Sequence, residues 1–215
     1  MTSRPKITRV LIVDDHAIVR RGLKEILTCE PHFEVTETGL PREALRLMRE
    51  ETWDLAVVDL DLPGMSGLDL LKEMKRERPQ LPVLILSVYP EEQFAIRTLR
   101  AGASGYLSKD SAPEDLVKAI RKLLRGGKYV SERVTDQLLH GVDGKVEGLP
   151  HELLSGREFQ VLSLFGSGKT VSEIAAELSL SVPTVSTYRA RILEKMGLRT
   201  TGDLTRYAIQ NGLAH

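Results

Sequence analysis

Cysteine occurs once in the 215 residues, at Cys29, so neither an intramolecular disulfide nor a cysteine metal cluster can form. The residue is expected to pack as a small apolar side chain. No apolar run approaches the roughly 18 residues that a bilayer-crossing helix needs. Residues 1–6 carry charges where a secretion signal would be apolar, so a cytoplasmic protein without membrane contact is expected. Nor is there an excess of one charge: 30 basic and 30 acidic residues cancel, which as an average speaks against a nucleic-acid partner. The average conceals local order. Of the seven Lys and Arg between residues 149 and 215, three (Arg189, Arg191, Lys195) fall on one helical stretch.

What is present is ordinary globular composition, 41% apolar and 28% charged, in a chain long enough for one large domain or two small ones. Up to residue 125, strand-like apolar runs (7–13, 33–37, 53–58, 82–86, 104–107) alternate with helical patterns (17–28, 42–50, 68–78, 91–100, 114–125). Leu116, Ala119, Ile120, Leu123 and Leu124 keep helical spacing, as do Val19, Leu23, Ile26 and Leu27. Five such pairs predict an α/β domain with a parallel sheet covered on both faces and right-handed crossovers. A flavodoxin-like (βα)5 strand order, 2-1-3-4-5, sets the tips of the first, third, fourth and fifth strands side by side. Ligands of such sheets bind at that carboxyl edge.

Just past those tips stand Asp14 and Asp15, Asp59, Ser87 and Lys109. Three carboxylates about 5 Å apart repel by roughly 3 kcal/mol per pair at an effective dielectric near 20, more than one lysine offsets. An all-oxygen set with open positions suits Mg2+ (or Mn2+). Asp15 and Asp59 are expected to ligate it directly, the Asp61 main-chain carbonyl to be a third ligand and Asp14 to act through water. Asp59 is then the nucleophile toward phosphorus, with Mg2+ and Lys109 offsetting charge on the phosphoryl oxygens. His16 is read as a helix-opening residue and Trp53 as packing.

The set 11–16 (Leu-Ile-Val-Asp-Asp-His), 58–67 (Val-Asp-Leu-Asp-Leu-Pro-Gly-Met-Ser-Gly), Ser87 and 105–109 (Gly-Tyr-Leu-Ser-Lys) resembles the receiver domain of two-component response regulators. The resemblance implies that a sensor histidine kinase phosphorylates Asp59. It further implies that Ser87 hydrogen-bonds the phosphoryl group and that Tyr106 turns inward as the loop after Ser87 shifts. Ser87 replaces the family's commoner Thr, and the Tyr89-Pro90 loop is individual to this chain.

Between residues 126 and 148 scattered glycines predict a flexible linker with a short helix near 132–140. The expected division is a receiver at 1–125, the linker at 126–148 and an all-α second domain at 149–215. Its four helical patterns are 156–165, 171–178, 183–196 and 201–210, and the middle pair has helix-turn-helix spacing. Ser181 with Pro183 opens the third of them. Val185, Tyr188, Ile192 and Met196 mark its buried stripe, so Ser186, Thr187, Ala190 and Arg191 face outward toward base edges. Arg189, Lys195, Lys169, Thr170 and Thr184 are better placed for phosphates.

Residues 154–158, 173–175, 184–188 and 195–198 resemble the LuxR-type DNA-binding domain, and the whole chain resembles a NarL/FixJ-family response regulator. This implies a non-enzymatic transcription regulator that acts on double-stranded operator DNA and becomes a homodimer when phosphorylated. The family often has lysine where Ser172 stands, which removes a phosphate contact. For the last helix the resemblance implies a dimer contact through Leu204, Tyr207 and Ala208, with packing inside the domain as the other reading. Residues 166–170 mimic a nucleotide loop, but Ser163 stands where its first glycine belongs. Two alternatives stay open: a haloacid-dehalogenase-type phosphatase using Asp59 and Asp61, and a regulator acting by protein contact alone.

Overall fold

The computed structural model describes residues 7–89, 91–140 and 149–214. The chain divides into two compact units, Met1–Thr135 and Asp136–His215. In the first, strands β1 (Thr8–Val13), β2 (Phe33–Thr38), β3 (Leu55–Val58), β4 (Val83–Ser87) and β5 (Gly105–Ser108) alternate with helices α1 (Ala17–Thr28), α2 (Pro41–Glu50), α3 (Gly67–Glu77), α4 (Glu91–Arg100) and α5 (Pro113–Leu124). The five strands form one parallel sheet in the order β2-β1-β3-β4-β5. This is the flavodoxin-like order expected above, and every strand pair is parallel, as the alternation of patterns predicts.

Every residue of β3 and β4 is buried, as strands covered on both faces must be. Val10, Ile12, Leu55, Val57, Leu84 and Leu86 share one face with Leu23 and Leu27 of α1 and with Leu116, Ala119, Ile120 and Leu123 of α5. Their neighbours Leu11, Val13, Ala56, Val58 and Ile85 are equally buried and, by the two-residue period of a strand, point the other way. One sheet thus separates two apolar layers, and its carboxyl edge is left for polar groups.

Cys29 departs from expectation, because its side chain is exposed. It caps the C-terminus of α1, two residues beyond buried Leu27 and so about 200° around the helix from the core-facing side.

Helix α6 (Glu132–His140) spans the division between the units. In the second unit a 3-10 turn (Pro150–Leu153) precedes α7 (Gly156–Gly166), α8 (Val171–Glu177), α9 (Val182–Met196) and α10 (Thr201–Gln210). Ser155 with Glu158, Thr170 with Glu173 and Thr200 with Asp203 each form a capping box that satisfies the first-turn amides of α7, α8 and α10. Ser181 accepts the Thr184 amide and opens α9, with a proline in the first turn. Four residues join α8 to α9, the helix-turn-helix connection read from the sequence.

The stripe on α10 is used internally. Leu204 and Ala208 are fully buried, the Thr205 hydroxyl donates to the Phe165 carbonyl, and the Tyr207 hydroxyl meets His151 Nδ1 at 2.9 Å. The dimer contact that the resemblance implied for Leu204 and Ala208 is therefore not available to them. In a domain this small α10 is needed to close the core.

Candidate functional site

At the carboxyl edge of the sheet, hydrogen bonding runs one residue past three of the strands. The Asp59 amide donates to the Val13 carbonyl (2.8 Å), the Lys109 amide to the Ser87 carbonyl (2.9 Å) and the Asp14 amide to the Thr38 carbonyl (3.2 Å). Asp14, Asp59 and Lys109 are consequently fixed by sheet geometry, while Ser87 is the last residue of β4 itself. Gly67 opens α3 directly against this edge: a Cβ there would lie 1.8 Å from the Asp59 carbonyl oxygen, so only glycine allows the approach.

Asp14, Asp59 and Ser87 are buried, at 1%, 2% and 0% exposure. Lys109 Nζ lies 2.7 Å from Asp59 Oδ2 and 2.7 Å from Asp14 Oδ2. Burial pushes the Asp59 carboxyl up to about 6, against the opposing pull of Lys109. Burial alone would lower the Lys109 ammonium, but Asp59 and Asp14 outweigh it and hold it above the usual lysine value. Two buried carboxylates with one ammonium leave a net negative charge in a poorly solvated notch.

Asp59 Oδ1 is buried and receives no hydrogen bond among the described residues; Asp14 Oδ2 has the ionic contact with Lys109 but no hydrogen bond. Acceptors left bare at such burial are costly unless a cation or donor covers them. Asp14, Asp15, His16 and Asp59 each offer a ligand atom within 4.8 Å of one another, so the cluster can hold a metal ion. His16 has more contacts than a helix-opening residue needs. Its amide donates to Asp14 Oδ1 (2.8 Å) and its Nδ1 lies 2.7 Å from Asp15 Oδ1.

Tyr89, noted above only as part of an individual loop, is joined to several residues of the site. Its hydroxyl donates to Asp61 Oδ2 (3.0 Å), its amide to the Ser87 hydroxyl (3.3 Å), and its ring stacks on Phe94 at 4.6 Å. Its carbonyl accepts the Tyr106 hydroxyl at 2.7 Å, and Tyr106 is already inside the protein at 1% exposure. In this structure the Tyr89 carbonyl gives the Tyr106 phenol a buried partner. The individual Tyr89-Pro90 loop two residues past Ser87 was the signal for Tyr89, but it did not show which groups the side chain meets. Tyr89→Phe should destabilise the protein by about 1 kcal/mol in urea unfolding, and by less than that in an Asp61→Asn background.

On the second unit, α9 buries Val185, Ile192 and Met196 and leaves Thr187, Ala190 and Arg191 exposed, with Ser186, Tyr188 and Arg189 half-buried. Arg189 and Arg191 have no ion-pair partner among the described residues. The other expected phosphate contacts are engaged within the domain. Lys195 pairs at 2.7 Å with Glu158, whose side chain is 3% exposed, and Lys169 pairs with Glu177. The Thr170 hydroxyl serves its capping box and the Thr184 hydroxyl meets Ser181 Oγ at 2.7 Å. Lys195→Met should therefore lower the stability of this unit by roughly 1–3 kcal/mol by stranding buried Glu158, seen as an earlier thermal transition.

Residues 10–121 match the family described as Response regulator receiver domain, and residues 152–208 match Bacterial regulatory proteins, luxR family. The chain is 33% identical over 208 residues to Response regulator UvrY of Escherichia coli (strain K12), covering 96% of this chain and 95% of that one. It is 35% identical over 214 residues to Transcriptional regulatory protein MctR of Rhizobium johnstonii, covering 99% and 98%. Among solved structures, RcsB from Salmonella enterica serovar Typhimurium, bound to promoter rprA in the presence of phosphomimetic BeF3-, is similar with a TM-score of 0.62 and 27% identity. That match covers 94% of this chain and 98% of RcsB.

Proposed function

Because the chain belongs to the response-regulator family, with a receiver domain followed by a LuxR-type DNA-binding domain, we propose that Asp59 is its phosphoacceptor and that Asp59 phosphorylation controls how α9 engages duplex DNA. The observation that carries this reading is the bare, buried Asp59 Oδ1 beside Lys109 Nζ at the sheet edge. Attack by an Asp59 carboxylate oxygen forms the new O–P bond as the P–N bond of the kinase phosphohistidine breaks. Lys109 lies where it offsets charge on the transferred group.

The cluster of Asp14, Asp15, His16 and Asp59 fits a hard divalent cation, Mg2+ or Mn2+; Asp15 and Asp59 would be its direct ligands, the Asp61 carbonyl a third, and Asp14 would act through water. Such an ion, when bound, neutralises the phosphoryl oxygens and lowers the repulsion between the carboxylates. Ser87 now accepts the Tyr89 amide, and its hydroxyl hydrogen is available to a phosphoryl oxygen. Redirecting that hydroxyl disturbs Tyr89 and, through its carbonyl, Tyr106. A shift of population toward a dimer then pairs two α9 helices on two half-sites. RcsB, similar over nearly the whole chain, is seen on its promoter with a phosphomimetic.

A phosphatase reading has no support from the comparisons, and Asp59 follows the third strand rather than the first, where such enzymes carry their nucleophile. Acetyl-phosphate labelling followed by peptide mapping tests the proposal: label is expected on Asp59, and label elsewhere or none would defeat it.

A further inference from the structure

The segment expected to be loose linker is bound, at its start, to the sheet. Tyr129 makes a parallel bridge with Gly105, its amide donates to the Ser104 carbonyl (3.1 Å), and its carbonyl accepts the Tyr106 amide (2.9 Å). A Cβ on Gly105 would sit 2.7 Å from the Tyr129 carbonyl oxygen, so glycine at this strand position is explained by the docked segment. Lys128 Nζ adds a hydrogen bond to the Ala103 carbonyl at 2.8 Å.

Two residues further on, the Ser131 amide donates to Glu91 Oε1 at 2.8 Å. Ser131 opens α6, its hydroxyl accepting the Val134 amide, so Glu91 sets a carboxylate at the positive end of that helix. Glu91 is also the first residue of α4, two positions beyond Tyr89. The contacts therefore close a ring: Tyr129 to Tyr106 by main chain, Tyr106 to Tyr89 by the phenol, Tyr89 to Glu91 along the chain, Glu91 to Ser131, and Ser131 back to Tyr129. One side of the ring is the loop that carries the Ser87 end of the phosphoacceptor site; the other is the start of the connection to the second unit.

We propose that this ring is a latch through which the connection reads the state of Asp59, Glu91 being the positioning residue that releases the first turn of α6 when the loop after Ser87 moves. The inference rests on the reading of Asp59 given above. Two links of the ring are buried or belong to the sheet ladder, whereas Glu91–Ser131 is exposed to water. A displaced Tyr89 therefore opens the ring at Glu91, where solvent replaces the lost partner most cheaply. By linkage, α6 released beforehand favours the same loop position.

Amide hydrogen exchange on the full chain, with and without magnesium and beryllofluoride, tests the latch. In the unaltered protein the Ser131 amide should exchange about tenfold faster with beryllofluoride, whereas the Tyr129 amide should change by less than about threefold. Glu91→Ala should give the fast Ser131 exchange without beryllofluoride. It should also bring the ratio of affinities for a duplex selected from random sequence, with over without beryllofluoride, down to within about twofold of unity. Glu91→Gln, which keeps an acceptor, should retain most of both effects. Unchanged Ser131 exchange in protein that acetyl phosphate labels on Asp59 overturns the latch alone; failure to label Asp59 overturns the underlying reading and the latch with it.

Discussion

Asp59→Asn is expected to abolish phosphate incorporation from acetyl phosphate and, in EDTA, to raise the stability of the protein at pH 7.5 by about 2–3 kcal/mol. The two effects have one origin. A carboxyl whose value is raised to about 6 by burial is held neutral in the folded state at acidities where the unfolded chain has already ionised it. Its contribution to stability is complete below about pH 4 and is lost as the pH climbs through 6, a span worth roughly 3 kcal/mol. Asparagine removes the buried charge, and Lys109 keeps Asp14 as its partner at 2.7 Å, so no ammonium is stranded. Urea unfolding at pH 5, 6 and 7.5 should show the stability of the unaltered protein falling with pH and that of Asp59→Asn falling less. Added magnesium should recover stability in the unaltered protein only. A variant less stable than the parent at pH 7.5 would show that Asp59 strengthens the fold.

Arg191→Ala should weaken binding to a selected duplex by about 5- to 150-fold, roughly 1–3 kcal/mol, and relax the preference at one base position. Arg191 is exposed on the outward face of α9, four residues from exposed Thr187 and beside exposed Ala190. Its guanidinium is not held by a carboxylate within the described structure, unlike the ammonium of Lys195. Arg189→Ala, half-buried at the flank, should instead weaken all duplexes alike and reduce the salt slope by about one. Titrations at several salt concentrations separate the two. Equal loss on selected and mixed-sequence duplexes for Arg191→Ala would remove it from base reading.

Much of this protein was legible from neighbouring residues. Apolar runs and 3.6-residue periodicity placed β1 to β5 and α1 to α5, and Ser181 with Pro183 marked the start of α9. The carboxyl-edge residues followed from the strand order, because a parallel sheet leaves little choice about where its tips meet. Such features depend on chain geometry within one turn or one strand, so the sequence by itself determines them.

Only the tertiary structure decided which partners distant groups find. Tyr89 meets Asp61 across 28 residues and Lys195 meets Glu158 across 37, and no local pattern announces either pair. Tyr129 falls in a stretch whose glycines read as slack, yet the free edge of β5 offers unpaired main-chain groups that bind it. The α10 stripe had the same helical period whether it faced a second copy or its own core, and closure of a small domain chose the core. Periodicity states that a face must be covered; what covers it is settled by packing, when the elements meet and the remaining polar groups must be satisfied together.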